Sequence, residues 1–182
     1  MYPRSSPTPA VRRALRVAIA VAAIAALSSC AQTNAPVDVG GPATRAIWKH
    51  KDPLMRALAD AHAIDHDVFL AELRSTDGSF PSVYWNGDDD PASLGLEDGG
   101  AVIYNLVDAG DEASFQGIIV TGTEVDPAVY TCFQATVRFE RGVVVGWSSD
   151  HEAGQPDEHC AAEIVDVLSE DARVAPFSAF AG

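Results

Sequence analysis

The chain contains few cysteines and few basic residues, and each shortage excludes a class of function. Only three of its 182 residues are cysteine, and its 12 lysines and arginines face 26 aspartates and glutamates. Proteins that bind nucleic acid need a basic surface for the phosphates, so a formal net charge of −14 argues against DNA or RNA as a partner. The G-x-G-x-x-G pattern of dinucleotide sites is missing, and no C-x-x-C pair accompanies Cys132 or Cys160 as zinc binding would require. We therefore expect no cofactor and no nucleic-acid partner.

A long hydrophobic segment is missing as well, and this bears on the first thirty residues. The apolar run at residues 17–27 spans 11 residues, whereas a helix that crosses a bilayer needs about 20. A basic stretch precedes this run and small residues follow it, which is the layout of a signal peptide. The basic residues are Arg4, Arg12, Arg13 and Arg16.

The sequence Leu27-Ser28-Ser29-Cys30 resembles the lipobox of bacterial lipoproteins at all four positions. The resemblance implies that residues 1–29 are a lipoprotein signal peptide, that the Cys30 thiol receives a diacylglyceryl group, and that Cys30 becomes the first mature residue. Two acyl chains anchor a protein stably, because each buried methylene contributes about 0.8 kcal/mol. The expected location is therefore the extracytoplasmic side of the cell membrane, reached through this lipid anchor. Export by the general route and export by a twin-arginine route through Arg12-Arg13 are both open.

Processing at Cys30 would change both the charge and the cysteine count of the protein. The leader holds four basic residues and no acidic one, which leaves 8 basic and 26 acidic residues and a net charge of −18. We interpret this acidity as a source of solubility and self-repulsion near the membrane. Cys132 and Cys160 then remain as a pair in an oxidising compartment, so we expect a disulfide between them. The alternative is a pair of buried free thiols.

The mature chain divides into a tether and a domain. Residues 30–44 are rich in glycine and proline and show no sustained periodicity, which is typical of a flexible arm. We expect this arm to hold the remainder of the chain away from the membrane. Residues 45–182 have the length of one ordinary domain.

The pattern of that domain predicts an α+β fold. Its N-terminal part has apolar residues at helical spacing after Asp52-Pro53, which would begin a first helix, and after Asp65, which would cap a second. Runs rich in β-branched residues then predict three to four strands in a mainly antiparallel sheet, of which residues 129–140 show the clearest alternation. Arg141-Gly142 predicts a hairpin turn, and residues 157–170 predict a closing amphipathic helix.

Alternation along residues 129–140 also predicts how the sheet is covered. Val129, Phe133 and Val137 fall on one face, while Cys132 falls on the other and more polar face. A bridge from Cys132 to Cys160 would place the last helix over that polar face or across an edge of the sheet. We therefore expect both faces to be partly covered, one by each helical segment.

Two partial motifs leave alternatives to a binding function. Residues 146–150 (G-W-S-S-D) open like the nucleophile elbow G-x-S-x-G but end in aspartate, so an envelope hydrolase using Ser148, Asp150 and His151 is a weaker hypothesis. His62 and His66 have the spacing of two metal ligands on one helix face, although Ala63 stands where H-E-x-x-H has its glutamate. A metal-binding lipoprotein is thus the other alternative.

A short aromatic cluster is the remaining candidate site. Phe80, Tyr84 and Trp85 precede an acidic turn and would form a ligand-recognition surface if exposed, although aromatics on a short strand more often fill a core. With no complete catalytic motif, the sequence favours a non-enzymatic binding domain on a lipid anchor. Its partner would be an envelope protein or a small ligand.

Overall fold

A mainly antiparallel sheet organises the domain. The structure, a computed structural model, describes residues 40–75, 77–150 and 160–180. The strands in chain order are β1 (Val83–Tyr84), β2 (Gly100–Asp108), β3 (Glu112–Val120), β4 (Val129–Glu140), β5 (Val143–Asp150) and β6 (Arg173–Val174). From β2 to β5 each strand pairs antiparallel with the next, while β1 pairs parallel with β2, and β6 pairs parallel with β4. The predicted α+β class is confirmed, but the sheet has six strands within the described residues instead of three or four.

The hairpin between β4 and β5 forms where the sequence predicts it. Arg141 and Gly142 both have positive φ angles, 54° and 77°, which suit the two central positions of a type I′ turn. This turn matches the right-handed twist of the two strands it joins. Register then follows the hydrophobic alternation of β4, because a slip of one residue would expose its buried side chains.

Two helices precede the sheet, α1 (Pro42–Asp60) and α2 (His66–Arg74). The predicted start of α1 at Asp52 is wrong: the helix begins ten residues earlier, at Pro42, so residues 42–44 are helical and not part of a tether. Pro53 lies inside α1 and removes one helical hydrogen bond, but burial of Ile47 and Leu54 on either side keeps the helix continuous. No helix in the described ranges combines the length and apolar character needed to cross a bilayer.

The two faces of the sheet are covered by different parts of the chain. On the first, here called the helical face, α1, α2 and residues 175–180 join the sheet in a cluster of 23 buried residues that includes Ile119 and Phe133 of the strands. On the second, here called the C-terminal face, only nine buried residues cluster, among them Ile118 and Cys132. The expected coverage of both faces is thus observed, with the larger core under the helices.

Residues 160–174, here called the C-terminal segment, cover the second face without a long helix. A disulfide joins Cys132 to Cys160 with a Cα–Cα distance of 5.4 Å, as predicted. The helix predicted at residues 157–170 is wrong over its described part, because α3 (Ala162–Val165) makes a single turn. β-Branched residues at 164, 165 and 167 disfavour a longer helix, and the chain must turn back so that β6 reaches the start of β4.

Candidate functional site

The three aromatic residues considered for a recognition surface point into the protein. Phe80 is buried in the core under the helical face, and Tyr84 is half-buried against the same core. Trp85 is buried on the C-terminal face, where its indole Nε1 donates a hydrogen bond to the carbonyl oxygen of Asp89 over 2.9 Å. Alternation sends neighbouring residues of an extended segment to opposite faces, so Tyr84 and Trp85 do not share a surface.

The two histidines considered for metal binding do not lie on one helix face. His62 is exposed in the turn that follows α1, whereas His66 begins α2. The His66 ring lies between two carboxylates, with Nδ1 3.0 Å from Asp67 Oδ1 and Nε2 3.0 Å from Asp108 Oδ1. Among residues 40–75, 77–150 and 160–180, no group of three or more His, Cys, Asp or Glu side chains is arranged to hold a metal ion.

The contacts of His66 instead suit a structural role. Hydrogen bonds to Asp67 and Asp108 raise the pKa of His66, because both carboxylates favour the protonated ring. A ring that donates from both nitrogens has no lone pair for a metal or for proton abstraction. The ring also meets Phe139 edge-on at 4.5 Å between centroids, so His66 joins α2 to the ends of β2 and β4.

The remaining candidates from the sequence are described only in part. Ser148 is exposed on β5, opposite Thr136 of β4. The Asp150 side chain and His151 lie outside the described residues, as does the lipidation candidate Cys30. The hydrolase and lipid-anchor predictions therefore stay predictions.

A cleft of about 610 Å³ lies where β3 ends and β4 begins, and no sequence motif pointed to it. Three stretches form its walls: 3₁₀ turns at residues 91–98, the loop at residues 121–128, and residues 167–171 of the C-terminal segment. Its volume falls within the range of about 300–1,000 Å³ that is typical of small-molecule sites. The apolar lining residues are Pro91, Ala92, Leu96, Val120, Val125, Ala128, Val167 and Leu168.

Two hydrogen bonds between Thr121 and Val129 join the ends of the residue 121–128 loop, which forms one wall of the cleft. Thr121 is buried and its Oγ1 accepts a hydrogen bond from the backbone N–H of Val129 over 2.9 Å, while its own N–H donates to the Val129 carbonyl over 2.9 Å. Gly122 follows at φ 66°, and a Cβ there would overlap the backbone of Asp98 and Gly99. Direct backbone contact therefore sets the spacing between the loop wall and the 3₁₀ turns.

The third wall is held from both of its ends. Before it, Cys160 is bonded to β4, and the backbone N–H of Ala161 donates to the Tyr104 hydroxyl over 3.2 Å. After it, the N–H of Arg173 donates to the carbonyl of Ala128 over 2.8 Å, which starts the β6 pairing. Burial raises the pKa of Tyr104 to about 12, so its hydroxyl stays neutral at physiological pH. A wall fixed in this way loses little conformational entropy when a ligand binds.

The charges around the cleft have one sign. The exposed acidic residues Glu97, Asp126 and Asp171 line it, and no lysine, arginine or histidine is among the described lining residues. None of the three carboxylates has a hydrogen-bond or ion-pair partner within the described part of the chain. Val167 stands at the opening with 41% of its surface exposed, which is high for a large apolar side chain.

The sequence contains only indirect signals of this site. Proline and glycine clusters near residues 90–99 and 121–128 mark loops, and the turn-forming residues after 165 mark a third. Nothing local indicates that these loops meet, because their meeting depends on the order of strands in the sheet. No protein-family model, curated protein or solved structure matches this chain.

Proposed function

We propose that this chain is a membrane-tethered lipoprotein whose domain binds a ligand in the cleft and performs no chemistry on it. The lipobox at Leu27-Ser28-Ser29-Cys30 supports the anchor. The observation that carries the binding role is the cleft itself, with apolar walls held in place by a disulfide, a strand pairing and a backbone contact.

The composition of the cleft favours binding over catalysis. A hydrolytic site needs a nucleophile next to a base, and the part of the lining that the structure describes contains neither cysteine nor histidine. Its described hydroxyl-bearing residues are Thr123 and Ser169, and among the described residues neither hydroxyl is hydrogen-bonded to one of the lining carboxylates. Apolar walls with a polar rim instead match the general form of a ligand pocket.

The anchor is tested by detergent-phase partitioning and labelling with palmitate. We expect the native chain to partition into the detergent phase and to incorporate the label. We expect Cys30→Ser to abolish both, because the thiol is the proposed site of acylation. A Cys30→Ser protein that still partitions and still takes up palmitate would refute the anchor.

The cleft is tested with the full chain carrying Cys30→Ser, purified without detergent, and the neutral fluorophore phenylnaphthylamine. We expect the fluorophore to brighten on binding and Ala92→Trp to weaken its binding at least tenfold, because an indole on the cleft wall fills the space. Ala59→Trp, a matched change at an exposed position of α1, leaves binding unchanged. Equal effects of the two substitutions, or no fluorophore binding, would overturn the assignment of the cleft.

A further inference from the structure

We infer that the occupant of the cleft is a small amphiphile that carries an ammonium or guanidinium group on an aliphatic body. This inference rests on the proposed function and adds the chemical class of the ligand. Two independent properties of the cleft support it, the apolar character of its walls and the unmatched negative charge of its rim.

The walls select an aliphatic body. They contain proline, alanine, valine and leucine side chains, and the described lining residues include no aromatic ring on which a flat ligand would stack. Each methylene removed from water strengthens association about fourfold, so affinity rises with the length of chain that fits. A volume of about 610 Å³ suits a small molecule.

The rim selects a positive head group. Glu97, Asp126 and Asp171 come from three different segments of the chain, and all three are exposed residues that line the same cleft. Bringing like charges together costs free energy that a bound cation would recover. An anionic ligand would meet repulsion from all three groups, which acts as a filter against the wrong partner.

A neighbouring groove shows what a self-neutralised site looks like in this protein. Val125 also borders a groove of about 340 Å³ lined by Arg45, Lys49 and Glu124. There the acid is matched internally, since Lys49 Nζ lies 2.7 Å from Glu124 Oε1. The cleft has three acids and no such partner, so the complementary cation must come from outside the described chain.

The test compares three ligands with the same ten-carbon chain, decylamine, decanol and decanoate, by displacement of phenylnaphthylamine from the full chain carrying Cys30→Ser. We expect decylamine to displace it at about fivefold to tenfold lower concentration than decanol, because exposed charge pairs contribute a factor of about 1.5–5 each. Decanoate should be the weakest of the three. The preference should shrink at high salt, which screens exposed charges.

A charge-matched pair of variants separates local contacts from the overall field of an acidic protein. The triple variant Glu97→Gln, Asp126→Asn, Asp171→Asn should lose the preference for the amine and keep decanol binding. The control variant Asp52→Asn, Asp60→Asn, Glu112→Gln removes the same charge from exposed positions outside the cleft and should keep the preference. If decanol binds as well as decylamine, or if both variants lose the preference equally, the inference is wrong while the cleft remains a binding site. If none of the three ligands displaces the bound fluorophore, the inference is likewise wrong and the cleft remains a binding site; if the fluorophore itself does not bind, the proposed function falls as well.

Discussion

The helical face and the C-terminal face of the same sheet are covered in opposite ways. Under α1 and α2 the cover is a continuous core in which rings such as Phe69 and Phe80 meet edge-on at 5.6 Å. On the other face the cover is a segment attached by a disulfide, a hydroxyl contact and a two-residue strand. Extensive side-chain packing holds the first cover, whereas the second combines a smaller packed cluster, which includes Ile164, with these discrete links.

The difference suggests that the helical face serves stability and that the C-terminal face serves binding. A core of 23 buried residues packs closely and excludes water, which suits a structural role. The nine-residue cluster leaves the end of the C-terminal face only partly filled, and the cleft lies there. Discrete links keep this cleft open without filling it.

Two adjacent isoleucines of β3 offer the sharpest test of the comparison. Ile118 and Ile119 are both fully buried and point to the C-terminal face and the helical face, respectively. We expect Ile119→Ala to lower the free energy of unfolding by about 4–5 kcal/mol and Ile118→Ala by about 2–3 kcal/mol, since the cost grows where the surroundings fail to collapse into the cavity. Urea unfolding of both variants measures the difference. Equal costs would mean that the two faces are packed alike.

Removing the disulfide should have the next largest effect. The bridge closes a loop between residues 28 apart, and the chain-entropy estimate for such a loop is about 3.5 kcal/mol. Cys132→Ala with Cys160→Ala should therefore destabilise the domain by this order and weaken phenylnaphthylamine binding, because the third wall of the cleft loosens.

Hydrogen exchange locates the effect of that double variant. Amide exchange should accelerate more in the C-terminal segment than in α1, because neither bridged cysteine lies in α1. Two free thiols per molecule, found by titration of unfolded protein purified from the envelope, would contradict the native disulfide.

The backbone contact at the cleft is tested by two glycines with similar φ angles. Gly122 and Gly142 lie at φ 66° and 77°, but only Gly122 has backbone where a Cβ would be placed. We expect Gly122→Ala to lower the free energy of unfolding by about 2 kcal/mol more than Gly142→Ala does. A positive φ is unfavourable for alanine at both positions, but only the Cβ at position 122 pushes the cleft walls apart. Thermal unfolding gives the costs, and fluorophore binding should fall only for Gly122→Ala. If the two variants lose stability and fluorophore binding to a similar extent, the backbone contact at Gly122 does not set the spacing of the cleft walls.

The smallest effect concerns pH and belongs to the helical face. The pKa of His66 is raised by its hydrogen bonds to Asp67 and Asp108, so the stability from these contacts is present below the ordinary pKa of about 6.5. It is lost as the pH rises through the raised value, because the neutral ring donates only one hydrogen bond. The urea midpoint of the native protein should decline over this range, and that of His66→Gln should not. His62→Gln, at an exposed position, should behave like the native protein. A decline that persists in His66→Gln would assign the titration to another group.

The elements that the sequence predicts well are those whose side chains alternate or cap locally. β4 spans Val129–Glu140 as predicted, since a buried face imposes a strict period of two. Asp65 caps α2 by accepting a hydrogen bond from the N–H of Asp67 over 3.0 Å. The elements predicted poorly are those in which tertiary contacts outweigh a local signal. Pro53 would ordinarily begin a helix, yet packing of the flanking apolar residues carries α1 across it.

By itself the sequence determined the α+β class, the order and turns of the central strands, and the cysteines available for a bridge. These follow from local rules, because alternation, capping and positive-φ turns depend on neighbours in the chain. The tertiary structure alone decided that the residue 91–98 turns, the residue 121–128 loop and residues 167–171 meet around one cleft. The hydrophobic effect is non-directional. The sequence therefore indicates which residues become buried, but it does not specify which residues they pack against.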